Sequence, residues 1–322
     1  MLVINKDGLE NFLQKLKEEF KVFDLRSFYD PLPFKKYFFP PEQEIFSSDK
    51  KGKIKTPKLP EKFVLFGLHL PALEALTYLD EIMKKPNEDF FYFQKRKQAI
   101  VIGLIDEEID SMPGGDIIFQ KIGDKYKVWF DGVKAKKLIE SNKEFFKEIN
   151  EEPVRNSLFS ITDIAGNDSR KQISGWSQTM RELLIDSEIL KDAVEWSREN
   201  MAELWDDLGK KCLTCGVCTY VCPLCHCFSI EDRVGLDDKC SRCRKWDACT
   251  LPGFAKISGG HSFRPTIKER YYNWFYHKFV RAYLEYGKPQ CVGCGRCKKY
   301  CPAQIDIQEV LRKILEDYKK QT

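Results

Sequence analysis

The first 211 residues of this chain contain no cysteine, although the whole chain of 322 residues contains thirteen. No positively charged segment followed by an apolar one opens the sequence, and no run reaches the roughly 18 apolar residues of a membrane-spanning helix. We therefore expect a cytoplasmic protein with no membrane span. In that compartment thirteen cysteines are typical of metal ligands rather than of a disulfide framework.

Two nucleotide-binding signatures are also missing. The sequence has neither G-x-G-x-x-G nor G-x-x-x-x-G-K-[ST], so nothing in it indicates a dinucleotide or nucleotide site. The net charge of +4 is small for this length and gives no case for nucleic acid. The charge is unevenly spread, because residues 205–322 carry 21 Lys and Arg against 13 Asp and Glu. These cations either offset the negative charge of a metal centre or form an ordinary solvated face.

One cysteine pattern occurs twice. It reads C-x2-C-x2-C-x3-C-P at residues 212–223 and again at residues 291–302. This run is typical of proteins that hold two [4Fe–4S] clusters, in which the fourth cysteine of each run binds the other cluster. We therefore predict one cluster on Cys212, Cys215, Cys218 and Cys301, and the other on Cys291, Cys294, Cys297 and Cys222. Such a chain moves electrons.

Zinc ribbons and disulfides are the alternatives, since C-x2-C pairs also bind tetrahedral zinc. Zinc sites seldom use four cysteines in one such run, and still less often repeat the run with a proline after each fourth cysteine. The spacing therefore favours clusters.

Five cysteines lie outside the two runs, at positions 225, 227, 240, 243 and 249. Cys240-x2-Cys243-x5-Cys249 has metal-like spacing, and Cys225 or Cys227 could supply a fourth ligand. The group could then be a third [4Fe–4S] cluster or a zinc site. The alternative is that these are reduced, buried thiols that pack as small apolar side chains.

The N-terminal two thirds predict an α/β fold. Residues 9–20 carry a helical apolar stripe, and the proline-rich residues 28–60 are typical of a loop-like connector. Apolar runs at 63–67 and 99–104 flank a helical segment at 71–84, which predicts a βαβ unit. Two further strands, at 116–119 and 126–130, are predicted to be joined by Gly123-Asp124.

The C-terminal part is predicted to be mainly helical. Residues 178–208 have a helical pattern, residues 264–286 predict a long aromatic helix, and another helix is predicted after Pro302. The 68 residues between Cys222 and Cys291 are too many for a compact ferredoxin turn. The fold class is thus α+β, a small α/β domain followed by a helical ferredoxin-like two-cluster domain. The predicted domains are 1–60 (helix and connector), 61–150 (α/β docking domain), 151–204 (linker and helix) and 205–322 (clusters).

From Trp205 onward the sequence resembles the iron–sulfur β subunits of cytoplasmic NiFe hydrogenases and sulfhydrogenases, a family that includes an iron–sulfur component of anaerobic sulfite reductase. The resemblance rests on several blocks in one order: the first cysteine run with Pro-Leu-Cys-His-Cys-Phe228, Arg244-Lys-Trp-Asp-Ala-Cys249, Gly259-Gly-His-Ser-Phe-Arg-Pro265, His277-Lys-Phe279 and Cys291-Val-Gly-Cys-Gly-Arg-Cys297. It implies that Cys225, Cys227 and Cys249 are family features.

The family resemblance also implies partners. It implies a hetero-oligomer in which this subunit passes electrons between a flavin subunit that handles NAD(P)H and a catalytic hydrogenase, sulfur reductase or sulfite reductase subunit. Typical members carry Arg-Pro-Cys-Asp after the glycine that matches Gly67, whereas this chain has His69-Leu70-Pro71-Ala72. The N-terminal domain is therefore expected to be a docking scaffold without metal.

Two functions follow. The first is a non-catalytic electron-transfer subunit with two [4Fe–4S] clusters. The second is a subunit with its own catalytic metal site for sulfur substrates, built from the five additional cysteines with His226 as the proton donor.

Overall fold

The computed structural model describes residues 1–26, 32–58, 60–149, 180–236 and 239–321. The chain divides into two compact units, which we call the α/β unit (Met1–Asp30 with Lys58–Lys171) and the cysteine unit (Pro31–Pro57 with Gln172–Thr322). The strands of the described residues are β1 (Leu2–Asn5), β2 (Lys21–Asp24), β3 (Glu42–Ser48), β4 (Ile54–Lys55), β5 (Phe63–Leu68), β6 (Ala99–Ile105), β7 (Ile117–Ile122), β8 (Lys125–Phe130), β9 (Lys147–Glu148), β10 (Phe228–Val234) and β11 (Cys240–Trp246). The principal helices are α1 (Lys6–Glu19), α2 (Leu70–Ile82), α3 (Phe90–Gln98), α4 (Gly132–Glu140), α5 (Ser187–Asn200), α6 (Ala202–Lys211), α7 (Val217–Tyr220), α8 (Ile267–Phe275), α9 (Ala282–Tyr286), α10 (Arg296–Lys299) and α11 (Ile307–Lys319).

The α/β unit is built on a seven-stranded sheet in the order β2-β5-β6-β7-β8-β1-β9. Strands β2, β5, β6 and β7 are parallel neighbours, and the remaining pairs are antiparallel. Strand β5, helices α2 and α3, and strand β6 form the predicted βαβ unit, and β7 and β8 form the predicted hairpin. Both predictions are confirmed.

Helix α1 covers this sheet with its apolar stripe. The Asn5 side chain accepts a hydrogen bond from the backbone N–H of Gly8 and so caps the helix. Phe12 is fully buried and meets Phe119 and Phe146 edge-on. The amphipathic helix predicted at 9–20 is therefore confirmed. It belongs to the α/β unit, because β1 and β2 on either side of it are strands of the same sheet.

Residues 32–57 of the segment predicted to be a loop-like connector are instead ordered structure of the cysteine unit. They contain a 3-10 turn (Phe34–Tyr37) and strands β3 and β4. The prolines at 40, 41 and 57 lie outside these strands, where a missing N–H removes no ladder hydrogen bond. The prediction was wrong here because β3 is a strand through its pairing with β11, about two hundred positions away along the chain.

Helices α5, α6, α8 and α11 enclose the core of the cysteine unit. Trp205, Trp274 and Phe275 are almost completely buried there. Thr266 and Glu269 form a reciprocal capping box that starts α8, which continues through a π-helical turn (Tyr276–Arg281) into α9. The predicted aromatic and C-terminal helices are confirmed.

A four-stranded antiparallel sheet in the order β10-β11-β3-β4 completes the unit. The sequence did not predict this sheet, so the expectation of a mainly helical domain is corrected to helices plus a sheet. The α+β class is confirmed. The predicted domain boundary at residues 150–175 lies outside the described residues.

Candidate iron–sulfur centres

The first cysteine run follows directly from a helix end. Helix α6 ends at Lys211, and the Cys212 N–H donates to the carbonyl of Leu208 at 2.9 Å. Gly216 then adopts a left-handed φ of 75° at the start of α7. A Cβ at Gly216 would lie 2.9 Å from the Ala248 Cβ and from a Tyr220 ring carbon, so the loop closes on its surroundings only with glycine at this position.

The second run repeats this local structure. Gly295 has a φ of 69° at the start of α10, and Gly293 has a φ of 64°. The Gly293 N–H donates to the Cys291 Sγ at 3.5 Å. The repeated spacing therefore produces two similar loops that place three cysteines on one short turn each.

Cysteines of both runs line a single pocket under the aromatic helix. The pocket contains Cys212, Cys215, Cys218 and Cys301, together with Cys297, Tyr271 and Trp274. The structure thus brings Cys301, the distal cysteine of the second run, to the three proximal cysteines of the first. Burial, followed by the charges of Cys212 and Cys215, raises the pKa of the Cys218 thiol to about 12. We call this set the first site.

Cys222, the distal cysteine of the first run, lies with the proximal cysteines of the second. Burial raises the pKa of Cys291, Cys294 and Cys297, that of Cys294 to about 12, and the charge of nearby Cys222 adds to the increase at all three. We call Cys291, Cys294, Cys297 and Cys222 the second site. Each distal cysteine therefore lies near the proximal cysteines of the other run.

A buried lysine borders the second site. The Lys278 Nζ donates to the Cys222 Sγ at 3.3 Å, to the Cys225 Sγ at 3.9 Å and to the carbonyl of Gln290 at 2.8 Å. Burial alone would lower the pKa of Lys278, but the charges of Cys222 and Cys225 outweigh it and hold the pKa well above its ordinary value. The ammonium group therefore stays charged beside the sulfurs.

Gln290 connects the two runs through hydrogen bonds. Its side-chain amide donates to the carbonyl of Leu224 at 2.7 Å and lies 3.3 Å from the His226 Nδ1. Burial lowers the pKa of His226. The centroids of the His226 and His277 rings lie 5.8 Å apart. His226 therefore packs against His277 and Gln290, next to the second site.

The five additional cysteines are divided among three places. Cys225 contacts Cys222, and a hydrogen bond from the Cys225 thiol lowers the pKa of Cys222. Cys227 and Cys249 hydrogen-bond to each other, with the charge of Cys218 acting on Cys249.

Cys240 and Cys243 lie on β11, opposite Val234 and Glu231 of β10. Phe228, the residue after Cys227, pairs with Trp246 at the end of β11. Cys243 lies three residues before Trp246 on that strand, which is about 10 Å at the usual rise per residue. The predicted set of five is therefore not brought together as one group.

The donor set fits [4Fe–4S] clusters better than single ions. All thirteen cysteines are free thiols. In the described part of the chain, no three His, Cys, Asp or Glu side chains converge on one ion position. Four thiolates around one zinc lie about 3.8 Å apart, whereas each cluster ligand binds a different iron. Each site offers four cysteines on two loops, which is the arrangement that a cubane requires.

Sequence reasoning missed the buried cations of this region, of which Lys278 and Lys35 contact the cysteine loops. Lys278 stands inside the block His277-Lys-Phe279 that carries part of the family resemblance, which was the available signal. Lys35 lies in the proline-rich segment, and nothing in its local sequence indicates its burial. Its Nζ donates to the carbonyls of Cys225 and Thr219 at 2.6 and 3.3 Å.

Comparison with known proteins agrees with this geometry. The family model described as "4Fe-4S dicluster domain" matches residues 211–305. The chain is 30% identical over 300 residues to sulfhydrogenase 2 subunit beta of Pyrococcus furiosus, a match that covers 88% of this chain and 83% of that protein. No solved structure matches. Across the described ranges, the structure contains no helix with the length and apolar character needed to cross a membrane. The chain belongs to the family of iron–sulfur β subunits of sulfhydrogenases, and it is an electron-transfer subunit.

Proposed function

We propose that this chain relays electrons through two [4Fe–4S] clusters, one held by the first site and one by the second. The observation that supports the proposal is that Cys301 lines a pocket with the first run and that the charge of Cys222 acts on Cys294 of the second run. When bound, each cluster would supply one-electron oxidation and reduction.

The residues around the two sites suit electron transfer. Trp274 and Tyr271 stack at 5.9 Å between ring centroids and line the first site. Backbone N–H groups of Gly293 and Ile305 donate to the Cys291 and Cys301 sulfurs at 3.5 and 3.4 Å. Such hydrogen bonds stabilise negative charge on sulfur and set the reduction potential. The chain thereby supplies ligands, aromatic walls and sulfur hydrogen bonds.

The proposed partners follow from the family. A β subunit of a sulfhydrogenase is one component of a larger assembly, so we propose a hetero-oligomer. In it the chain would connect a flavin subunit that handles NAD(P)H with a catalytic hydrogenase, sulfur reductase or sulfite reductase subunit. The α/β unit, which has no cysteine, would be a docking scaffold for one of them.

Iron and acid-labile sulfide per chain test the number of clusters. We expect about 8 of each in protein purified without oxygen, whereas about 12 of each would mean a third cluster and contradict the proposal. The isolated chain should be reducible at low potential and inert toward hydrogen, sulfite and polysulfide. Turnover of any of these by the pure chain would show that it carries a catalytic site of its own.

A further inference from the structure

The Lys278 side chain has a complete set of acceptors at the second site. An ammonium group has three N–H donors, and here they face the Cys222 sulfur, the Cys225 sulfur and the carbonyl of Gln290. Lys278 is 3% exposed, so water does not compete for these donors. A buried cation is costly unless its partners are negative or strongly polar, and the sulfurs meet that condition.

The position of this ammonium group is set by several contacts. Lys278 lies in the π-helical turn between α8 and α9, a local geometry that is frequent at functional sites. The Gln290 N–H donates to the carbonyl of Lys278 at 2.7 Å, so the two residues exchange two hydrogen bonds. The Gln290 side chain is itself held by the carbonyl of Leu224. Gln290 directly precedes Cys291, so its backbone fixes Lys278 beside the second run. The Gln290 side chain connects the same residue to the loop after Cys222.

Arg270, a buried cation whose charge acts on Cys212 of the first site, is bonded differently. Arg270 is 5% exposed, and its guanidinium donates to the backbone carbonyls of Thr250, Arg264 and Pro265. The Cys301 sulfur of the first site accepts from the neutral backbone N–H of Ile305. At the second site, a full positive charge therefore donates directly to a ligand sulfur. The charge of Lys278 also reaches Cys218 of the first site, where it is the smallest of the influences that act on that thiol.

We propose that Lys278 is a positioning residue that selectively raises the reduction potential of the second site, so that an electron entering at the first site passes on to the second. The inference rests on the proposed two-cluster relay. Reduction adds one negative charge to a site, and an ammonium group 3.3 Å from the Cys222 sulfur stabilises that charge strongly where water is excluded. Hydrogen bonds to the sulfurs act in the same direction.

The test is a potentiometric titration of the whole chain followed by electron paramagnetic resonance. In Lys278→Met, which keeps the length and removes the charge and the donors, one of the two midpoint potentials should become clearly more negative and the other should shift much less. The affected signal should be the one that Cys291→Ser alters. Lys278→Gln, which keeps a donor but no charge, should shift the same midpoint by less.

Lys299→Met is the matched control, because Lys299 is an exposed cation within the second run and lies over the Tyr300 ring. It should leave both midpoints unchanged. Equal shifts of both midpoints in Lys278→Met, no shift, or loss of the second cluster from both Lys278 variants would overturn the inference. Iron and sulfide content of the unmodified chain decides the relay separately, so failure of Lys278 leaves that proposal intact.

Discussion

The ammonium group of Lys35 donates to the backbone carbonyl of Cys225 at 2.6 Å, and the two residues lie 190 positions apart in the chain. Lys35 is 2% exposed, and its Nζ also lies 4.3 Å from the centroid of the Trp246 ring. A second bond reaches the carbonyl of Thr219, which precedes Cys222. The proline-rich segment therefore supports the backbone on both sides of Cys222.

We predict that Lys35→Met destabilises the cysteine unit by about 2 to 4 kcal/mol, because two buried carbonyls lose their donor and Trp246 loses its cation contact. The measurement is urea unfolding followed by the loss of visible iron–sulfur absorbance. Lys36→Met is the control, because Lys36 is less buried and lies over the neighbouring Tyr37 ring. Its effect should stay within about 0.5 kcal/mol, and equal losses in the two variants would refute the support role of Lys35.

Removal of the proline-rich segment should destabilise the cysteine unit more than Lys35→Met does. A shortened protein that begins at Trp205 lacks β3, Lys35 and helix α5, so β11 keeps only β10 as a partner and its other side becomes an exposed edge. We expect it to be recovered without a full iron complement, whereas the same shortened protein with residues 32–57 joined to its N-terminus should bind more iron. If the protein that begins at Trp205 alone binds about 8 iron atoms, the segment is dispensable.

Exchange of the distal cysteines makes a paired prediction. Cys222→Ala should damage the cluster whose other ligands lie at 291–297, and Cys301→Ala should damage the cluster of the first run, because each distal cysteine lies with the opposite triad. Electron paramagnetic resonance of the two reduced variants should therefore show the loss of different signals.

The assignment of these signals needs one proximal variant per run. Cys215→Ala should remove the same signal as Cys301→Ala, and Cys294→Ala the same signal as Cys222→Ala. The opposite pairing, in which Cys222→Ala and Cys215→Ala lose one signal together, would mean that each run holds its own cluster.

The sequence predicted the local features of this protein and missed those that depend on distant contacts. Cysteine spacing, the stripe of α1 and the turn at Gly123 are visible within about a dozen residues, and all of them appear in the structure. Strand β3 was missed because its partner β11 is remote and its own sequence, Glu42–Ser48, alternates weakly. The contact between Lys278 and Cys222 spans 56 positions. The apolar pattern of α8 does not indicate that the π-helical turn after it contains a buried lysine in contact with a cysteine sulfur.

Gly216 is expected to be essential for the first site. Gly216→Ala introduces a left-handed residue and places its Cβ 2.9 Å from the Ala248 Cβ. The backbone conformation alone costs about 1 kcal/mol, and the contact must displace the loop that carries Cys215 and Cys218. We expect a lower iron content and a weaker first-site signal. Gly259→Ala is the control, because Gly259 has a φ of 85° but nothing within 4 Å of the added Cβ. If both variants lose iron equally, the close approach at Gly216 has no special role.

Tyr92 of the α/β unit makes stability depend on alkaline pH. Its hydroxyl donates to the Asp80 carboxylate at 2.7 Å, and burial together with the Asp80 charge holds the pKa of Tyr92 well above 10. The folded unit therefore keeps Tyr92 neutral, and the stability that this contributes is fully present below the unfolded pKa of about 10 and is lost as the pH rises above it. Tyr92→Phe should cost about 1 to 2 kcal/mol at neutral pH, and its difference from the unmodified protein should shrink above pH 10, because the variant has no hydroxyl to ionise at this position. Urea unfolding of both proteins followed by circular dichroism, on either side of pH 10, measures the difference. If the difference between the two free energies of unfolding stays constant or grows with pH, Tyr92 does not ionise on unfolding.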